Sequence, residues 1–145
     1  HGGDSNARIV KFSRDGKFVR IIGGVKGSEP GQFNLPHSVV VDSKGRLIVA
    51  DAENNRIQVF DQSGKFLEQW SEFIAKPRGA LYITADDTLY VSHVDAEAVS
   101  IVRNGKVVDV IRGVGGRPHG MTLDRDGNIY VSFPLTQGVK KIVKK

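Results

Sequence analysis

The sequence predicts an all-β fold, a β-propeller built from four-stranded antiparallel blades. Three observations predict it. First, Pro36, Pro77 and Pro118 stand 41 residues apart, twice in succession. Each opens a related phrase: Pro36-His37-Ser38-Val39-Val40-Val41-Asp42, Pro77-Arg78-Gly79-Ala80-Leu81-Tyr82-Ile83 and Pro118-His119-Gly120-Met121-Thr122-Leu123-Asp124. Second, each unit divides into short strand-like runs separated by turn signals. Third, no segment carries a convincing helical period. A period of about 40 residues made of strands is the mark of a propeller blade, and such blades are set radially around a central channel. Residues one or two periods apart then become neighbours in space.

The elements follow in order. Residues 1–24 hold the outer two strands of a first blade: Asn6–Phe12 matches Asn54–Phe60, and Phe18–Ile22 matches Phe66–Trp70. Residues 25–72 hold a complete blade with strands His37–Val41, Arg46–Ala50, Arg56–Phe60 and Phe66–Trp70, linked by Asp42-Ser43-Lys44-Gly45 and Asp61-Gln62-Ser63-Gly64. Residues 73–113 repeat it as Ala80–Thr84, Thr88–Ser92, Val99–Val102 and Val107–Ile111, and Asn104-Gly105 is the strongest kind of two-residue hairpin signal. Residues 114–145 hold Met121–Leu123, Asn128–Ser132 and Val139–Val143. The runs Val39-Val40-Val41 and Leu47-Ile48-Val49 predict inner strands covered on both faces. The alternation in Arg56-Ile57-Gln58-Val59-Phe60 predicts a strand with one wet face. The total is a partial ring of about three and a half blades. Fewer than four blades do not close, so the expected partners are a second copy of the chain or the rest of a longer one.

Composition narrows the function classes. A chain of 145 residues is sized for one domain. It has no cysteine, which excludes disulfides and thiolate metal sites. No apolar run approaches the roughly 20 residues of a membrane helix, and no signal peptide is visible, so a soluble protein is expected. The start at His1 reads as a processed or excised chain, compatible with an exported parent. The net charge is +5, with Lys140, Lys141, Lys144 and Lys145 clustered at the end. A solvated tail explains them without a phosphate or lipid ligand. There is no nucleophile elbow, phosphate-cradling loop or dinucleotide fingerprint.

The unit from Pro36 to Asp61 resembles an NHL repeat, which implies four-stranded blades, commonly six to a ring. Gly31-Gln32-Phe33-Asn34-Leu35-Pro36-His37-Ser38, the run from Ala50 to Phe60 and Asn6–Phe12 are also similar to the lyase domain of peptidylglycine α-amidating enzymes. That family cleaves a peptidyl-α-hydroxyglycine to a peptide amide and glyoxylate. The resemblance implies a zinc ion on the propeller axis held by three histidines in Pro-His phrases of alternate blades. His37 and His119 match two of these phrases; the third would lie in a further blade. Geometry agrees, because alternate blades of a six-fold ring present their inner strands about 120° apart. Three neutral imidazoles at about 2.0–2.1 Å, with one position open, make a catalytic zinc site. The family's tyrosine falls here at Asp4 and its arginine at Ala52. A phenol and a guanidinium are the natural proton-transfer and charge-stabilising groups, so no catalytic residue is assigned.

Remaining candidates read as follows. Arg78 takes the place of a histidine at the axis, where it lines the channel and binds a carboxylate or bridges to a neighbouring blade. His93 is expected at the surface. Asp42, Asp51 and Asp124 are expected to satisfy backbone donors in turns. Arg8 and Arg56 occupy matched third-strand positions and read as structural. The linker Gly23–Phe33 is expected to overhang the channel mouth. The leading functional reading is a binding or assembly module for a peptide or protein, with a partial lyase-like metal site. The alternative is a zinc-dependent amidating-lyase-like enzyme. A third reading, single-stranded RNA binding, is opposed by the low aromatic content, with Trp70 the only tryptophan.

Overall fold

The computed structural model describes residues 6–135 and 138–143. Among them are thirteen strands in four antiparallel sheets. Strands β1 (Arg8–Phe12) and β2 (Phe18–Gly23) form the first sheet. The second is a meander of β3 (Pro36–Val41), β4 (Leu47–Asp51), β5 (Arg56–Phe60) and β6 (Phe66–Trp70). The third runs through β7 (Leu81–Ile83), β8 (Leu89–His93), β9 (Ala98–Arg103) and β10 (Lys106–Ile111). The fourth holds β11 (Gly120–Leu123), β12 (Ile129–Phe133) and β13 (Gly138–Ile142). Each strand lies within a residue or two of its expected bounds. No helix among the described residues is long and apolar enough to cross a membrane.

Turn chemistry sets the hairpins. Asn104 and Gly105 both have left-handed φ, 50° and 75°, the requirement of a two-residue link between twisted strands. Gly45 and Gly127 occupy the same left-handed turn position in their blades, at 76° and 81°. The third sheet has Asp87 there, at φ 61°. Its carboxylate accepts from the Ser43 amide at 2.8 Å and hydroxyl at 2.5 Å, so a conformational cost is exchanged for a bond to the preceding blade.

The sheets stack face to face, and apolar side chains fill each joint. Ala7, Ile22 and Phe33 pack on Leu47, Val49 and Phe60. Ile48, Ala50, Ile57 and Val59 pack on Leu81, Leu89, Val91 and Val102. Val99 and Val114 pack on Ile129, Val131 and Phe133. Successive residues of a strand face opposite ways, so Leu47, Ile48, Val49 and Ala50 of β4 are all apolar because both faces of the strand meet a neighbour. The first strands adjoin: β3 touches β7, and β7 touches β11. The Leu81 amide donates to Ser38 Oγ at 3.0 Å.

Two expectations about burial are corrected. The driest strands are not innermost but in the middle: β4 and β5 are buried throughout. In β3, Val39 and Val41 are 43% and 52% exposed. Their cross-strand partners Val49 and Leu47 share that face and are covered by the β1–β2 sheet, which among the described residues reaches no further inward. The expected wet face of β5 is also dry. Arg56 and Gln58 are covered by the linker before β3. Arg56 donates to the carbonyls of Ser28, Glu29 and Gln32, and Gln58 donates to the Gln32 carbonyl. That linker is therefore tied over the second blade by its own backbone.

Candidate functional site

The repeated prolines place three equivalent residues at the start of β3, just before β7 and just before β11: His37, Arg78 and His119. The stacked first strands bring the two histidines together across 82 residues of sequence. Their ring centroids are 5.1 Å apart and the planes cross at 67°. Both side chains are half-buried. His37 Nδ1 lies 3.2 Å from the Gly79 carbonyl oxygen. A carbonyl only accepts, so Nδ1 carries the proton and Nε2 keeps its lone pair. Burial is the main influence holding the His37 pKa below the usual imidazole value. The His119 imidazole and the Arg78 guanidinium act in the same direction, against the Gly79 carbonyl.

Gly79 earns its place by size. A Cβ there would overlap Ser92 Oγ and lie 2.9 Å from the Pro118 carbonyl oxygen. Its amide donates to the Ser92 carbonyl at 3.1 Å. The acceptor that orients His37 is thus clamped between two blades.

Arg78 does not point a free charge along the axis. It pairs with Glu53, and its other terminal nitrogen lies 3.7 Å from Asp95. Lys76 also pairs with Glu53 at 2.7 Å, and Arg117 with Asp95 at 3.1 Å. A chain of alternating charge, Lys76–Glu53–Arg78–Asp95–Arg117, therefore crosses two blade junctions beside the histidines. The pattern was present in the sequence but unread: a base stands just before Pro77 and Pro118, and Glu53 and Asp95 hold matched positions after β4 and β8.

Asp51 does more than cap a turn. It accepts from the Asn34 amide at 2.7 Å, Asn54 Nδ2 at 2.7 Å, Arg56 Nε at 2.9 Å and Gln58 Nε2 at 3.2 Å. Asp42 accepts from the amides of Lys44 and Arg46, and Asp124 from those of Asp126 and Asn128. Asn128 contributes most to holding the Asp124 pKa at about 2. Arg8 is exposed, unlike its counterpart Arg56. The expectation for His93 is corrected: it is not at the surface but fully buried, with Nε2 2.8 Å from Ser100 Oγ. It takes the place that Asp51 has in the preceding sheet, at the closed end of a joint. Ala52 is fully buried. Asp4 lies outside the described residues.

Four antiparallel sheets stacked around the line where β3, β7 and β11 meet define a β-propeller. The family model for the NHL repeat matches residues 33–60. The chain thus carries an NHL repeat within a propeller fold, and the proteins it is similar to include an NHL repeat-containing protein and amidating enzymes. It is 34% identical to human NHL repeat-containing protein 3 over 97% of this chain and 44% of that one. It is 33% identical to peptidyl-glycine alpha-amidating monooxygenase B of Xenopus laevis, over 96% of this chain and 18% of that one. Among solved structures it resembles virginiamycin B lyase of Staphylococcus aureus with a TM-score of 0.69 at 16% identity, over 96% of this chain and 50% of that one; this likeness is one of fold. The chain spans less than half the length of these curated relatives.

Proposed function

We propose that this chain is a ligand-binding propeller module with an axial metal position, of which His37 and His119 supply two ligands. The observation that carries the reading is the 5.1 Å approach of two imidazoles from alternate blades. The side chains fit a borderline metal such as zinc. His37 presents Nε2 while its Nδ1–H is anchored on a backbone carbonyl, the usual outer support of a metal-bound imidazole. Its lowered pKa keeps it neutral, the form that ligates. Among the described residues no group of three or more His, Cys, Asp or Glu is placed to share one ion. Two imidazoles leave positions for an oxygen-bearing ligand such as a peptide, and a bound metal would polarise that oxygen. The alternating charges at the rim would then orient polar groups of the peptide.

The test is zinc affinity of the purified chain, with His37→Ala and His119→Ala alongside. We expect one zinc per axial pair and at least a tenfold loss in each variant, the lower end of what loss of a supporting residue alone costs a metal site. Equal affinity in all three proteins would refute the reading.

A second reading, a zinc-dependent lyase of the amidating type, is favoured by the 33% identity that runs along 96% of the chain. Ala52 weighs against it, since a buried methyl group stands where the resemblance implies a guanidinium. Turnover of a peptidyl-α-hydroxyglycine, read as glyoxylate release, separates the two.

A further inference from the structure

His93 sits at an inter-blade joint that no part of this reading uses. The corresponding residues in the neighbouring sheets are Asp51 and Phe133, one held in an ionic network and the other in an apolar cluster. His93 has neither environment. Its ring is fully buried, 6.0 Å from Phe73. Ser100 hydrogen-bonds Nε2, and Nδ1 is buried without a hydrogen-bond partner. The carbonyls of Ala75 and Lys76 face the ring and favour its charged form, but burial outweighs them and lowers the pKa.

The groups packed on this ring belong to the segment that leads to the axis. Phe73, Ala75 and Lys76 lie on the connection from β6 to β7, which continues through Arg78 to Gly79. Gly79 in turn holds His37. We propose that His93 is a positioning residue for His37, acting through residues 73–79, and that protonation of His93 releases this segment.

The charges around the ring do not replace that of a proton. Lys76 is paired with Glu53, and Asp95 with Arg78 and Arg117. Glu72 and Glu97 stand at the ends of the connecting segments; the residue opposite His93 on β9 is Ala98, and the β9 side chain that reaches the ring is the neutral Ser100. None of the ion pairs among the described residues includes His93. A proton on His93 is therefore a buried charge without a counter-ion, and the least costly relief is to open the overlying segment to water. The sign follows from linkage. The folded pKa is below the unfolded value of 6.5, so the joint is fully stable above that value. It loses stability as pH falls from there through the folded pKa. The effect on a metal at His37 rests on the two-histidine reading above; the opening of the joint does not.

The experiment is amide hydrogen exchange of the whole chain, without metal, at pH 7.5 and 5.5, corrected for the intrinsic pH dependence of exchange. Wild type is compared with His93→Gln, which keeps a partner for Ser100, and His93→Phe, which copies the residue at the matched place in the fourth sheet. Protection of residues 73–80 in wild type is expected to fall severalfold, up to about tenfold, at the lower pH, while β4 and β5 hold theirs. Both variants are expected to show no such fall. Each is first checked for cooperative melting at pH 7.5, and one folded variant suffices. Unchanged protection in wild type, or the same loss in a folded variant, would overturn the proposal. Zinc affinity at pH 7.5 is read separately, so failure of the metal reading leaves this outcome intact.

Discussion

Asp51 shows how a single residue anchors a blade. Its carboxylate is fully buried and meets four donors, one of them charged. Removing one member of a buried ion pair leaves the other uncompensated, at a cost of about 3–5 kcal/mol. Asp51→Ala is accordingly expected to lower the denaturant midpoint strongly, with the slope unchanged. The double variant Asp51→Leu/Arg56→Met, which removes both charges, is expected to lose less than Asp51→Ala alone. Asp87 is a milder case. Asp87→Gly relieves the left-handed turn and deletes two bonds to Ser43, opposing effects. Little change in melting is expected, with faster exchange at the Ser43 amide. His37 contributes to the pH range of the proposed metal position. Its pKa lies below 6.5, so proton competition begins only there. Proton competition at His37 is therefore expected to weaken zinc binding only as the pH falls below 6.5.

At the scale of the element, the strand plan was legible because repeat period, turn residues and apolar runs agreed. Asn104-Gly105 and the Asp-x-x-Gly links needed no tertiary information. Burial along each blade was less legible, because it depends on what lies over a strand. Alternation in Arg56–Phe60 signals a wet face, yet the preceding linker spends its carbonyls on Arg56 and Gln58 and dries it. His93 was misread for the same reason: its matched place and the stacking of the next segment decide its environment. The Pro-His phrases located both axial histidines, but not the Gly79 carbonyl that orients one of them. The connection before β7 tests this clamp. Gly79→Ala forces a methyl group between Ser92 and the Pro118 carbonyl, and overpacking of this kind costs about 1–3 kcal/mol. A loss in melting temperature with altered His37 ring resonances is expected, only partly restored by adding Ser92→Ala, since the backbone contact remains.

Across the whole molecule the two end faces differ. The first sheet exposes Val10, Phe12, Phe18, Val19 and Ile21, with Phe12 and Phe18 58% and 61% exposed and edge-on at 6.5 Å. The exposed face of the fourth sheet mixes the exposed Val139 with Lys141, which sits over the Tyr130 ring at 5.3 Å and 3.6 Å from Asp124. An uncovered apolar sheet face invites association. Replacing Phe12 and Phe18 by Ser is expected to reduce self-association in light scattering, whereas Val139→Ser on the opposite face is expected to change it less. The wider account depends on successive blades delivering His37 and His119 to one place. Nuclear Overhauser spectroscopy of the metal-free chain reads that approach directly, with resonances assigned from His37→Gln and His119→Gln. A cross-peak between the ring protons of the two imidazoles is the predicted result; two sharp, assigned rings with no cross-peak between them would contradict it.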